Sequence, residues 1–384
     1  MLLCGLFFAT SLSLAFGFSQ HYAMSVLARF AIGLFAPLGV VTKTCVSEVC
    51  PEGKQTLGMS LYSMVWLSSS AVGSIVGGVL VDPKGSGLVK SGVLADYPFL
   101  LPNLVTVLSG LIAFVGILIW LDETHSKKEA QGSATHSSLL SSQLQYESRH
   151  MTYRDLLKNK VIMLAVMLYG INSFNSTAYF ELFPLWCWAE KSDGGLAFNP
   201  LEIGYALAGS NFILVIFQQW LFRKIVARKG YLWNVLCGSL AMAPAMFVIP
   251  WISYAHSTVG IWIYIIGTSM LWYFLSFQVL TSQFVMTNNT VMKSERGRLN
   301  GLCMMAGSFA RAIAPIIIGV LFASTATSGL PFPLNYTFCF NLISALSLVM
   351  WFFSRKLPSS IQQTQESILR EKRAEELKGG SNSP

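Results

Sequence analysis

Apolar residues arrive along this chain in blocks of about twenty, the number a helix needs to cross a ~30 Å hydrocarbon core. Ten such blocks are predicted, at 1–19, 23–44, 57–81, 98–121, 161–188, 203–222, 232–254, 259–287, 299–324 and 335–353. The breaks between them carry Gly, Pro, Asn and charge, as turns do. The first block reads as a retained helix and not as a signal peptide, because the first basic residue in the chain is Arg29. Residues 122–160 depart from the pattern: "DETHSKKEAQGSATHSSLLSSQLQYESRH" is polar and Ser-rich, a solvated linker that divides four spans from six. The predicted organisation is a partial N-terminal helical half (1–121), the linker (122–160), a six-helix half (161–355) and a polar tail (356–384) with no core of its own.

Composition sharpens this. Of 384 residues 53% are hydrophobic and only 11% charged, whereas a water-soluble domain carries charge at about one residue in four. The predicted fold class is therefore an all-α polytopic membrane protein. The net charge of +8 reads as loop charge that sets orientation, and no nucleic-acid partner is expected. Lys127, Lys128, Arg149, Arg154, Lys158 and Lys160 lie in the linker; Arg223, Lys224, Arg228, Lys229, Lys293, Arg296, Arg298 and the basic tail share its side, against only Lys84, Lys90 and Lys191 opposite. Linker and tail are expected in the cytosol.

Catalytic and metal chemistry leave no trace. There is no Walker lysine, HExxH or nucleophile elbow, so an enzyme is not expected, nor a cofactor. The seven cysteines show no metal-ligand spacing. They read as small packing residues, although Cys45 and Cys50, flanking a helix end, are also open to a thiol-reactive reading.

An internal repeat is visible. "GSIVGGVL" at 73–80 aligns with "APIIIGVL" at 314–321, and "EGKQTLGMSL" at 52–61 resembles "ERGRLNGLCM" at 295–304 after a two-residue shift. Two similar helices in two halves point to a duplicated transporter architecture. Gly73, Gly77 and Gly78 also suit close helix packing, and Gly319 is the repeat partner of Gly78.

Ionisable and amide groups inside spans are the candidates for function, since a charge costs at least ~2.5–3.5 kcal/mol at a helix centre unless paired or wet. Arg311 lies twelve residues past the predicted start of its span, roughly 18 Å in. It either holds an anionic group or clamps helices through neutral acceptors. Pro315 four residues on removes the amide that would bond the carbonyl of Arg311. Glu181 is about twenty residues into its helix, roughly 30 Å, too far out for a direct pair with Arg311 unless the span starts later. It is either a proton-titrating carboxylate or an interfacial one. "NSFNST" brings Asn172 and Asn175 into the same helix. On a regular helix Asn172 and Glu181, nine residues apart, point about 180° away from each other. A companion wall is expected from Trp272, Tyr273, Ser276 and Gln278, with interhelical hydrogen bonding as the structural alternative.

Several stretches resemble the major facilitator superfamily. "RFAIGL", with Arg29, resembles an arginine motif of its fourth helix; "SEVCPEGKQTLG", with Glu48, Pro51 and Lys54, resembles the loop that follows; "AVGSIVGG" resembles its fifth-helix gating motif with Ser74 in place of proline. A closer resemblance is to the zinc-induced facilitator-like subfamily, carried by "AYFELFPLWCWAEKSDGGLAF", "NNTVMKSERGRLNGL", "SFARAIAPIIIGVLF", and "YPFLLPNLV" with "LDETH". The superfamily's usual pattern is twelve helices, and the first helix here looks like the third. The chain is accordingly expected to be a shortened form lacking the first two helices and the glycine motif between them. The resemblance implies a proton-coupled transporter, an antiporter among the possibilities, working by alternating access in the plasma membrane or a vacuolar or other endomembrane. Its expected partners are the lipid bilayer, a coupling ion and a small organic solute: a zwitterionic metal chelator, with potassium or a drug-like molecule as alternatives. The rival reading is a truncated, non-transporting paralogue acting as a membrane partner or regulator.

Overall fold

A computed structural model describes residues 1–35, 38–50, 55–81, 92–97, 99–121, 152–254, 257–292, 295–365 and 367–368. Among the described residues every long element is helical: α1 Leu2–Gly17, α2 Tyr22–Phe35, α3 Leu38–Val49, α4 Gln55–Leu80, α5 Leu100–Trp120, α6 Tyr153–Lys158, α7 Lys160–Trp188, α8 Pro200–Val248, α9 Thr258–Asn289, α10 Arg296–Ala326 and α11 Phe338–Ser354. Among the described residues five stretches are long and apolar enough to cross a membrane: Leu100–Trp120, Lys160–Trp188, Phe217–Ile252, Thr258–Asn289 and Arg296–Ala326. Leu2–Gly17, Tyr22–Phe35, Met64–Leu80 and Phe338–Ser354 are shorter apolar helices.

The chain forms two compact units. The first contains Met1–Tyr62, Ser69–Arg149 and Pro200–Ala208. Here α1 lies along α5, with Gly17 against Leu100 and Asn103 and Gly110 against Thr10. Phe8 of α1 stacks on Phe35 of α2, ring centroids 5.0 Å apart. Leu108, Ile112, Val115 and Ile119 of α5 are exposed, an apolar face suited to lipid and not to water. The described parts of the predicted span 23–44 are helical, in α2 and α3. Arg29 is exposed at the surface of α2, with its guanidinium 4.1 Å from the centre of the Phe16 ring. Glu48 lies in α3, but its side chain falls outside the described residues, as do Pro51, Lys54 and most of the linker.

Small residues draw α4 and the start of α8 together at one point. A Cβ on Gly204 would lie 2.9 Å from the carbonyl oxygen of Ser74, and one on Gly78 would lie 3.2 Å from that of Pro200. Gly73, Gly77 and Gly319 have open space where a Cβ would go. The close-packing role foreseen for the glycines of α4 thus falls to Gly78 with Ser74.

The second unit holds Ser63–Ser68, His150–Asn199 and Gly209–Pro384. Its centre is α7, which packs along α10, α11 and α9. Asn159 starts α7 by accepting hydrogen bonds from the amides of Val161 and Ile162 at 3.0 and 3.3 Å. The linker turns out to be folded at its end. Thr152 and Asp155 form a capping box on α6, and Leu156 is fully buried in a cluster with Ile162, Val166, Leu299 and Leu302. The two predicted spans 203–222 and 232–254 run in α8, which breaks at Gly230 (φ 81°, ψ 168°), backbone that a side chain would strain. The tail also departs from expectation: Leu357 and Ile361 are buried.

Two outcomes follow from this packing. Gly204→Val should cut the yield and thermal stability of the membrane-extracted protein, since a backbone carbonyl has to move. Gly73→Ala and Gly319→Ala should be neutral or stabilise by up to about 1 kcal/mol through helix propensity. Equal effects at all three sites would remove the contact from the account. For topology, glycan mapping should find Asn335, in "NYT" beyond α10, modified, and Asn288, in "NNT" at the end of α9, unmodified; the reverse result would invert the orientation read from the basic residues.

Candidate functional site

The helix α7 carries a polar and aromatic stripe down one side: Asn172, Asn175, Tyr179, Phe183 and Trp186 recur at three- and four-residue steps and all are buried. Lipid cannot satisfy amides, so they must turn inward. Asn175 Nδ2 donates to Ser347 Oγ of α11 at 3.2 Å, and Ser176 and Ser276 of α9 share a hydrogen bond of 3.1 Å. Below them Tyr179 stacks on Trp272 at 3.9 Å and meets Tyr273 edge-on at 5.3 Å. Trp186 packs edge-on against Phe340 at 5.3 Å. Gln278 belongs to a separate clamp: Asn234 Nδ2 of α8 donates to Gln278 Oε1 at 3.2 Å and to Ser282 Oγ at 2.9 Å.

These contacts sort the sequence candidates. Asn175 and Gln278 are engaged in interhelical hydrogen bonds. Asn172 is different: it is fully buried, and neither amide atom has a hydrogen-bond partner. The Tyr273 hydroxyl is likewise buried without one.

Arg311 occupies the middle of α10, fifteen residues from either end. The residue is half-buried, and its guanidinium donates to Ser308 Oγ at 3.1 Å in an exposed hydrogen bond. A Cβ built on Gly307 would sit 2.8 Å from the Tyr169 ring, 3.0 Å from Ser173 Oγ and 3.2 Å from Arg311 Nη1. Glycine therefore lets a cation, an aromatic ring and a hydroxyl converge at one point of the α7–α10 contact, while the Tyr169 hydroxyl donates to Met304 Sδ at 3.5 Å. Among the described residues Arg298 pairs with Glu295, at 2.7 Å, and Arg311 has no carboxylate partner. Pro315 is inside the same helix, so the carbonyl of Arg311 receives no helical amide.

Glu181 stands apart. It is exposed on α7 next to exposed Phe180, Leu185 and Trp188, opposite the buried Asn172, as the nine-residue spacing requires for an unbroken helix. The structure does not bring it to Arg311. Tyr169, Tyr179, Asn234 and Ser347 were missed in the sequence. Asn234 had a legible signal, as an amide inside an apolar block; an aromatic or serine in such a block has none.

A chain of long apolar helices of this kind has known relatives. Residues 1–292 match the family model of the Major Facilitator Superfamily. The chain belongs to the major facilitator superfamily. It is similar to Protein ZINC INDUCED FACILITATOR-LIKE 1 of Arabidopsis thaliana, 28% identical over 88% of this chain and 72% of that one. It is also similar to the efflux pump azaK of Aspergillus niger, at 24% over 93% of this chain and 72% of the pump. The crystal structure of a D-xylose-proton symporter superposes with a TM-score of 0.66 at 15% identity, covering 94% of this chain and 82% of the symporter; this shows the fold. As a member of the superfamily the protein is an integral, multi-pass membrane transporter and not an enzyme.

The contrast between clamp and unpartnered amide can be measured. Asn234→Ala should lower thermal stability by about 1–2 kcal/mol and couple to Gln278→Ala in a double-mutant cycle. Asn172→Leu should instead raise stability, because it removes two unpaired buried polar atoms of similar volume at about 1–3 kcal/mol of desolvation cost, while lowering transport. A stability loss in Asn172→Leu equal to that in Asn234→Ala would place Asn172 among the clamps.

Proposed function

We propose that this protein is a secondary active transporter that moves a small organic solute bearing a carboxylate or other anionic group, by alternating access and coupled to protons. The observation that carries the reading is Arg311: a permanent cation at the midpoint of α10, half-buried, without a carboxylate partner among the described residues, beside Tyr169 and Ser173. A structural clamp would be better made from neutral groups, as Asn234 and Gln278 show a few helices away. A guanidinium offers a planar fork that matches a carboxylate with two parallel hydrogen bonds. Pro315 softens α10 one turn beyond, which supports a helix that bends as access alternates. The resemblance to facilitator-like relatives favours zwitterionic metal chelators, with drug-like solutes next. No cluster of three or more metal-ligating side chains occurs among the described residues, and bare metal as cargo has no support.

Within this reading Arg311 grips the anionic end, Asn172 and Tyr273 are held ready for polar groups of the solute or for the moving helix, and Asn175 and Gln278 keep α7, α8, α9 and α11 in register. Glu181 is the coupling carboxylate. It is exposed on an otherwise apolar face of α7, which supports a role separate from the grip of Arg311.

The test is uptake into proteoliposomes of a carboxylate-bearing amino-acid-derived chelator, with its methyl ester as control. Arg311→Gln should insert normally and lose uptake, Arg311→Lys should keep the charge yet lose most of it, and Pro315→Ala should be milder. The ester should not compete. Glu181→Gln should abolish uptake driven by a pH gradient while leaving exchange of solute for solute. Normal uptake in Arg311→Gln would make the arginine a clamp, and unchanged gradient-driven uptake in Glu181→Gln would return that residue to an interfacial role.

A further inference from the structure

Two basic clusters of the second unit are far apart in sequence, and the tail that follows the second of them is anchored beside the first. The first, Arg223, Lys224, Arg228 and Lys229, lies in α8 just before its break at Gly230; the second, Arg355 and Lys356, follows α11 directly. Beyond them the chain makes a short 3₁₀ turn, Ser359–Gln362, and this turn is tied down at two places. Gln362 Oε1 accepts from the amide of Leu232 at 3.4 Å, and Asn289 Nδ2 at the end of α9 donates to the carbonyls of Ile361 and Gln362 at 3.3 and 3.2 Å. Leu357 and Ile361 are buried beneath it. At Gly230 any side chain would run into Gln362 Oε1. The strap therefore holds the stem of the second cluster against the break that follows the first.

All six basic side chains are exposed, and among the described residues none has a carboxylate partner. Four of them instead lie over an aromatic ring close by in sequence, along α8 or at the end of α11. Lys224 sits 4.5 Å from the Trp220 ring centre, Lys229 5.9 Å from Trp233, Arg355 5.1 Å from Trp351, and Lys356 5.1 and 5.0 Å from Phe352 and Phe353. Aromatic rings at helix ends sit at headgroup depth in a bilayer. A lysine or arginine lying over such a ring is therefore at the level of lipid phosphates.

We propose that the strap assembles these two clusters into a collar that binds anionic phospholipid headgroups at the membrane surface of the second unit. It rests on the membrane placement of the chain and is independent of what the protein transports. Charge complementarity selects the ligand: unpaired cations, no competing carboxylate, and a depth set by aromatic residues. Ordinary loop charge would need neither the strap nor the convergence. In the collar, lipid occupancy and strap docking support each other, because both require Arg355 and Lys356 to stay beside α8. The lipid composition of the surrounding membrane would then stiffen or loosen the break at Gly230.

The test uses the full chain purified in neutral detergent. Binding is measured by native mass spectrometry and by the thermal midpoint on adding phosphatidylglycerol, phosphatidylcholine, or inorganic phosphate. Phosphatidylglycerol should bind and stabilise, and neither of the others should. Removing two charges, as in Arg355→Gln with Lys356→Gln, should weaken phosphatidylglycerol binding about thirtyfold. Gln362→Ala with Asn289→Ala keeps every charge but frees the strap, and should weaken it by a smaller factor. Equal binding of phosphatidylcholine, or an equal effect of inorganic phosphate, would overturn the lipid assignment. Unchanged binding in the strap variant would overturn the collar, and its intact charges keep that result readable even if the charge variant folds poorly.

Discussion

Hydrocarbon accepts no hydrogen bond, and the arrangement of the second unit follows from that single constraint. Every amide and hydroxyl within a span must find a partner on another helix or remain unsatisfied at a cost of several kcal/mol. Asn234 reaches Gln278 and Ser282, Asn175 reaches Ser347, and Ser176 reaches Ser276. Each bond is worth only about 0.6–2 kcal/mol net, but each fixes a register between two helices that apolar packing alone leaves free to slide. The clamps thus fix α7 against α9 and α11, and α8 against α9. With the scaffold satisfied in this way, the groups that are not satisfied stand out.

Unpartnered buried polar atoms are spread through the unit, from Asn172 and Tyr179 to Gln218 and Asn341, and Asn172 among them lies close to the candidate cation. Asn172 and Ser173 are adjacent on α7, Ser173 and Tyr169 approach Gly307 of α10, and Arg311 lies one turn further along α10. The same long helices contain Pro184, Pro244 and Pro315. Each proline removes a helical hydrogen bond and frees the carbonyl four residues before it, those of Phe180, Leu240 and Arg311. A soft point next to a fixed register lets part of a helix tilt while its clamped part stays in place. Shear and hinge motions of packed helices need that combination.

How far the sequence reveals this depends on what each feature requires. The spans are legible because twenty apolar residues admit few other readings, and the break at Gly230 is legible from basic residues and a glycine between two such blocks. Arg311 and Asn172 are legible because a polar group in hydrocarbon is costly wherever it points. What periodicity cannot supply is the pairing. Helices that are apolar all round carry almost no directional signal, so nothing in the chain tells which of Asn175 and Asn172 meets a serine. Contacts such as Asn234 with Gln278, separated by 44 positions, exist only once the helices are packed. The strap at Gln362 was hidden for a different reason: six residues are too few to show a pattern, and their polar composition suggests solvent. Likewise the glycines of α4 are alike in sequence, yet only Gly78 meets another backbone.

The partial exposure of Arg311 also bears on how such a site would release what it binds. A fully buried, unpaired guanidinium is destabilised by several kcal/mol, and an anion that relieved this would be held correspondingly tightly. A transporter gains nothing from that, since a solute bound too well does not leave. On a half-buried residue, beside Ser308, the guanidinium keeps one neutral acceptor and part of its solvation, so the free state is less strained and the gain on binding is smaller. Selectivity then has to come from geometry rather than from raw attraction: the planar fork of the arginine, the hydroxyl of Ser173 and the phenol of Tyr169 around Gly307. A side chain at 307 would fill the point where they converge, so in the proposed reading this glycine matters as much as the charge beside it.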